Sequence, residues 1–206
     1  MKVLIAPDSF KEALDAESAA RAIADGVRIA RPDAAVDRCP LGDGGEGSAA
    51  IIAQAHDGVA RSEWVHDALG RRRPARWWWI EASQPAVIEL AQAAGLASLA
   101  PGERDPRITT TYGVGELLRA AGEAGCASVT LCVGGSATVD GGAGCLQALG
   151  WRFLDRRGRL LEGFLCGGRL RDVARIEPPP STTRWRLTVL CDVDNPLTGP
   201  DGAAPV

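Results

Sequence analysis

The sequence predicts an α/β fold, on three observations. Four polar loops, at residues 7–11, 41–48, 134–144 and 192–199, each follow a short apolar run of β type. Stretches of helical character follow the first three, so strand and helix alternate along the chain. With 206 residues and 46% hydrophobic composition the chain can bury a sizeable core. In open α/β sheets the ligand crevice lies at the carboxyl ends of the strands, so the four loops can converge there.

The first strand is read at Lys2–Ala6, followed by the loop Pro7-Asp8-Ser9-Phe10-Lys11. A helix is expected from about Ala16 to Ile29, with Ala16, Ala20, Ile23, Val27 and Ala30 at three- and four-residue spacing and Asp15 as its N-cap. A second strand at about Ala35–Cys39 leads into Leu41-Gly42-Asp43-Gly44-Gly45-Glu46-Gly47-Ser48 and a helix ending near Gly58. Residues 60–90 form a β-rich subregion, with runs at Ser62–Val65, Ala75–Ile80 and Ala86–Leu90 around the turn Ala68-Leu69-Gly70. Trp77-Trp78-Trp79 reads as one strand with rings on both faces. A helix at Tyr112–Glu123 precedes the strand Ser128–Val133, and a further helical run reaches Leu149. Trp151–Leu154 and Asp155–Gly158 read as strand and turn, and Arg186–Cys191 as a buried strand.

Composition excludes several classes. The net charge of −3 gives no electrostatic footprint for nucleic acid. Arg71-Arg72-Arg73 is the one cationic cluster and reads as a solvated turn. The apolar start Val3–Ala6 is too short for a signal segment, and no stretch approaches the ~20 apolar residues of a membrane span. The six cysteines are scattered, without C-x-x-C or a nearby His, and read as buried thiols of a cytoplasmic protein. His56 is expected to end a helix and His66 to face solvent from a strand.

The chemistry concentrates in the loops. Gly134-Gly135-Ser136-Ala137-Thr138-Val139-Asp140-Gly141-Gly142-Ala143-Gly144 carries five glycines in eleven residues. Its backbone can approach a ligand closely. The Ser136 and Thr138 hydroxyls, the loop amides and the positive end of the next helix favour an anion. Asp140 would repel a bare phosphate, so it reads either as a metal partner of that phosphate or as a helix cap. The run matches neither G-x-x-x-x-G-K-[ST] nor G-x-G-x-x-G. Of 23 lysines and arginines only Lys2 and Lys11 are lysine, and Lys11 reads as a compact phosphate-binding charge. Together the loops supply carboxylates (Asp8, Asp43, Glu46, Asp140, Asp192, Asp194), hydroxyls (Ser9, Ser136, Thr138, Thr198) and an ammonium. That is the inventory of phosphoryl transfer.

In Ile5-Ala6-Pro7-Asp8-Ser9-Phe10-Lys11-Glu12, Asp43-Gly44-Gly45-Glu46-Gly47, Gly134-Gly135-Ser136-Ala137-Thr138 with Asp140-Gly141-Gly142 and Gly144, and Cys191-Asp192-Val193 with Asn195-Pro196-Leu197 and Gly199, the chain resembles the glycerate kinases of the bacterial glycerate 2-kinase type. Arg107–Gly115, with its Thr-Thr-Thr-Tyr-Gly, is also similar to them. The resemblance implies ATP-dependent phosphorylation of D-glycerate with Mg2+, 2-phosphoglycerate being the favoured product, in a cleft between two interleaved α/β domains. Residues 1–206 then correspond to the N-terminal part of such an enzyme, with no internal boundary placed. On this reading Lys11, Ser9, Gly134, Gly135, Ser136 and Thr138 are expected to face phosphate or glycerate carboxylate, with Asn195 positioning substrate. Asp43 and Asp140 are expected to hold magnesium, directly or through water, and Asp192 to accept the proton of the attacking hydroxyl. Ser48 stands where the family usually has Thr, the three tryptophans are atypical, and family members are nearly twice as long, continuing into a Phe-Gly-Pro-Gln-Lys-Gly-like motif. A kinase for another small hydroxy acid or sugar acid, and a truncated, catalytically inactive chain that only associates with partners, stay open as alternatives. An open sheet edge after the last strand would favour homo-oligomers.

Overall fold

The structure is a computed structural model that describes residues 1–11, 13–80, 85–181, 186–196, 199 and 202. Glu12, Leu197 and Thr198 of the motifs above lie outside the described residues.

Strand β1 (Lys2–Ile5) and β2 (Ala35–Arg38) pair in parallel, Lys2 opposite Ala35, with helix α1 (Ala16–Ala30) connecting them. Asp15 caps α1 as expected, its carboxylate accepting the Ser18 amide at 2.6 Å. The face of α1 that packs is built of small residues, however. Ala16, Ala19, Ala20 and Ala24 are buried and Ile23 is 42% exposed, because Ala20 and Ala24 sit directly on Ile5 of the sheet.

Helix α2 (Ser48–Ala55), with His56 as its C-cap, leads to the main sheet. This contains β3 (Val59–His66), β4 (Arg72–Trp79), β5 (Pro85–Glu89), β6 (Ser128–Cys132) and β9 (Arg186–Leu190), in the order β3-β4-β5-β6-β9. Strand β4 runs antiparallel to both β3 and β5, while β5, β6 and β9 are parallel. Short α3 (Ala91–Ala94) and longer α4 (Tyr112–Glu123) lie between β5 and β6, and α5 (Ala143–Ala148) follows β6. Strands β7 (Arg152–Leu154) and β8 (Arg175–Glu177) form a separate antiparallel pair.

Side-chain alternation divides the sheet's two faces. Trp77, Ile88, Val129 and Leu131 face Val114, Leu117, Leu118 and Ala121 of α4. Ile80, Val87 and Cys132 face Ala49 of α2, with Trp78 and Leu190 packed against them. Burying each such leucine contributes about 1.5–3 kcal/mol, so α4, with Leu117 and Leu118 almost wholly buried, is a principal clamp on the sheet. The three tryptophans divide between the faces as the alternation requires. Trp77 is 1% exposed, and the Arg61 guanidinium lies 4.2 Å from the Trp79 ring centroid.

Two readings of the sequence are corrected. Arg71–Arg73 is no solvated turn: Arg72 and Arg73 open β4, and Arg71 reaches Asp67 and Glu103, each at 2.6 Å. Strand β9, expected to be buried, lies at the edge of the sheet among the described residues, with Leu187 44% and Val189 50% exposed. The six cysteines are free thiols: Cys126, Cys132 and Cys166 are buried, Cys145 is half-buried, and Cys39 and Cys191 are exposed. Burial pushes the Cys132 thiol up to about 11 and the Cys145 thiol up to about 12. Among the described residues no helix is long and apolar enough to cross a membrane.

Candidate active site

The loops meet through their backbones. The Leu41 amide donates to the Pro7 carbonyl at 2.9 Å, joining the first loop to the second. Gly134 donates to the Gly44 carbonyl at 3.0 Å, joining second to third, and Val133 donates to Leu190 at 3.2 Å beside the fourth. Glycine is required at this crossing. A Cβ on Gly134 would lie 2.5 Å from the Gly45 Cα, and one on Gly44 would lie 3.0 Å from the Leu190 carbonyl oxygen. A side chain at Gly134 would therefore wedge two loops apart. Lys11, Asp43, Asp192 and Asn195 are exposed, and Ser9, Ser136 and Thr138 are half-buried.

Asp140 holds the third loop from inside. It is 1% exposed. Its Oδ2 accepts the Thr111 amide and hydroxyl, each at 2.8 Å, and the Gly144 amide at 3.1 Å; its Oδ1 accepts the Gly142 amide at 3.0 Å. Thr111 in turn accepts the Cys145 amide at 2.9 Å, and Thr109 donates to the Ala137 carbonyl at 2.7 Å. Amides at the start of α5, expected from the sequence to attract a ligand anion, are thus already turned to an internal one. The sequence pointed to Thr-Thr-Thr-Tyr-Gly only by resemblance, and the structure makes it the clamp of the third loop. Within 134–138, Gly135 is exposed and the other four residues are half-buried. There the Ser136 and Thr138 hydroxyls lie 2.9 Å apart, and the Thr138 amide donates to the Ser136 hydroxyl at 3.1 Å.

The second loop is held in a similar way by a residue the sequence reading passed over. Glu89, at the carboxyl end of β5, is 2% exposed, and its Oε1 accepts the Ala49 amide in the first turn of α2 at 2.8 Å. Glu89 looked like the polar end of an apolar strand, and only the tertiary fold brings α2 to it. Gly44 donates to Ser48 Oγ at 3.0 Å, closing the loop further.

Burial pushes the Glu89 carboxyl above the usual glutamate range, while its bonds from Ala49 and Gln92 partly offset this. A carboxyl whose pKa is raised by folding stabilises the fold most when protonated. Its contribution is therefore fullest below the ordinary value of about 4.3 and is lost as pH rises through the raised folded value. Glu89→Gln keeps an acceptor for Ala49 without the charge. Its thermal midpoint is expected to match the wild type near pH 4 and to exceed it at pH 8. Thermal melts of both proteins across that range check this. A variant that falls behind at pH 8 would mean the charge is held favourably by the α2 amides.

The donor set bears on magnesium. Among the described residues no group of three or more His, Cys, Asp or Glu side chains is placed to hold a metal ion. Magnesium usually keeps several waters and takes only one or two carboxylates along with substrate phosphates. Asp43 fits that mode, being exposed with Oδ1 accepting the Gly45 amide at 2.8 Å. The oxygens of Asp140 accept four hydrogen bonds from Thr111, Gly142 and Gly144. His66 does not face solvent as the sequence suggested. Its Nδ1 lies 3.1 Å from Glu116, and its ring packs on Tyr112 and Phe164.

Comparison with known proteins agrees with this architecture. The profile of the glycerate kinase family matches residues 3–206. A glycerate kinase of Bacillus subtilis is 45% identical over 209 residues, covering 100% of this chain and 54% of the relative. A glycerate 2-kinase of Escherichia coli is 42% identical over 207 residues, covering 99% of this chain and 54% of the relative. The crystal structure of a Salmonella typhimurium LT2 protein assigned as glycerate kinase 2 superposes with a TM-score of 0.81 at 42% identity, over 100% of this chain and 55% of that one. The chain spans about half the length of the curated relatives it matches. A family profile that runs from the first strand through all four loops, over a shared fold, places the chain in the glycerate kinase family.

Proposed function

We propose that these residues form one wall of the active site of an ATP-dependent D-glycerate kinase that makes 2-phosphoglycerate. The observation that carries the proposal is the crossing of the second and third loops against the end of β9, at the carboxyl ends of the parallel strands. Lys11 supplies a compact positive charge, and Ser9, Gly134, Gly135, Ser136 and Thr138 supply donors for phosphate or carboxylate oxygens. Asp192 accepts the proton of the attacking hydroxyl as its oxygen bonds to the terminal phosphorus and ADP leaves. Asn195 positions the substrate. Magnesium, held beside Asp43 by phosphate oxygens and water, would neutralise charge on the transferring group. The name of the E. coli relative supports the 2-position. We further propose a cytoplasmic enzyme of two interleaved α/β domains that forms homo-oligomers, acting on nucleotide and small acid rather than on nucleic acid or membrane.

Because the chain spans about half of its relatives, the 206-residue protein alone is expected to give no glycerate-dependent ADP release. A fusion to the C-terminal half of the B. subtilis relative is expected to restore it. A coupled ADP assay with D-glycerate, lactate and glycerol checks both, with NMR of the product fixing the phosphorylated position. Turnover from the chain alone near one per cent of the usual ~1–100 s⁻¹ of kinases would mean that the site is complete within these loops. A folded fusion active only on another acid would replace glycerate as substrate, and one inactive on every acid would favour the inactive-chain alternative.

A further inference from the structure

We infer that the cavity between the second loop and α3 is a carboxylate subsite whose cation is Arg73; this rests on the small-acid kinase reading above. The cavity has a volume of about 220 Å3 and is lined by Glu46, Arg73, Ala91, Gln92, Gly95 and Ser98, among others. It adjoins the glycine crossing. Glu46 belongs to the second loop, while Gly95 forms a β-bridge with Ser136 of the third. The Leu96 amide donates to Gly135 at 2.8 Å and the Ala137 amide to Ala94 at 2.9 Å, so the cavity wall is tied to the Ser136–Thr138 segment.

Arg73 differs from its neighbours. Arg71 is bound to Asp67 and Glu103, and Arg72 lies 3.5 Å from Glu116. Arg73 has no carboxylate partner among the described residues, although it is half-buried and fixed on β4 opposite Val65. A guanidinium carried by a half-buried strand residue is suited to bidentate binding of a carboxylate. Size and charge narrow the ligand. Sites that enclose drug-sized molecules run to ~300–1,000 Å3, so a cavity of about 220 Å3 suits a three- or four-carbon acid rather than a nucleotide. Glu46 on the lining accepts hydrogen bonds from hydroxyls and repels a second negative charge. One carboxylate with neighbouring hydroxyls therefore fits better than a phosphate dianion. Gln92, whose amide group meets the Arg76 amide at 3.2 Å and Glu89 at 3.4 Å, is a braced wall.

The test is an NMR titration of the folded chain with D-glycerate, lactate, glycerol and inorganic phosphate, read at the Gln92 side-chain amide. Arg73→Gln and Arg73→Lys are titrated alongside, with thermal melts to verify folding. The wild type is expected to bind D-glycerate and to ignore glycerol. Arg73→Gln should weaken D-glycerate roughly tenfold or more, the scale of a lost charge-assisted hydrogen bond, with Arg73→Lys intermediate. Equal D-glycerate binding by wild type and a folded Arg73→Gln would overturn the subsite and leave the kinase reading standing. Arg73-dependent binding of lactate without D-glycerate would keep the subsite and overturn glycerate as substrate. Tighter Arg73-dependent binding of phosphate than of either acid, or no binding of any acid, would overturn the subsite.

Discussion

Asp140→Ala is expected to lower the thermal midpoint by about 10 °C and to remove activity through the fold of the third loop. The substitution leaves the Thr111 amide and hydroxyl and the Gly142 and Gly144 amides without their acceptor. Each buried donor left unsatisfied costs about 1–3 kcal/mol, and in a protein of this size each kcal/mol shifts the midpoint by about 2–4 °C. Asp140→Asn should lose less. Its amide oxygen can take the three donors now on Oδ2, leaving only the Gly142 amide facing an NH2 group. Melts of the three proteins, with calorimetry of Mg-nucleotide binding, decide the role. An Asp140→Ala protein as stable as wild type but weakened in Mg-nucleotide binding would make Asp140 a metal-site residue and not a strut.

Asp192→Asn is expected to cut turnover by about 10²–10⁴-fold, the usual worth of a general base. Nucleotide affinity should stay unchanged. The measurement belongs to the fused full-length protein, by ADP release and by nucleotide titration in parallel. The side chain keeps its size and one acceptor but can no longer take a proton. Asp192 is exposed just beyond β9, so the exchange buries no unsatisfied group and leaves the sheet intact. A collapse of nucleotide affinity would move Asp192 among the magnesium partners.

Much of the chain could be read because its signals are local. The Asp15 cap, the periodic run of α4 at Tyr112–Glu123 and the Trp77-Trp78-Trp79 alternation each declare themselves within a few residues, and each appears in the structure as read. What escaped depends on partners far along the chain. Glu89 acquires its role only because α2, 40 residues earlier, sets the Ala49 amide against it. His66 seemed a surface residue because Glu116 lies 50 residues away. The apolar run Leu187–Leu190 indicated what the strand could pack against, and its edge position left Leu187 and Val189 bare. The anion expected at the start of α5 was present in the sequence all along, as Asp140, but a glycine-rich loop looks the same whether its amides face a ligand or a carboxylate of its own chain.

The distribution of thiols has a practical consequence. Reaction with an alkylating probe requires thiolate, and burial holds Cys132 and Cys145 up to about 11 and about 12, so both stay silent at neutral pH. The exposed thiols are Cys39 and Cys191. With Cys39 changed to serine, a fluorophore or spin label would sit next to Asp192, at an attachment point supplied by the native sequence. Movement of the fourth loop against the glycine crossing could then be followed in solution.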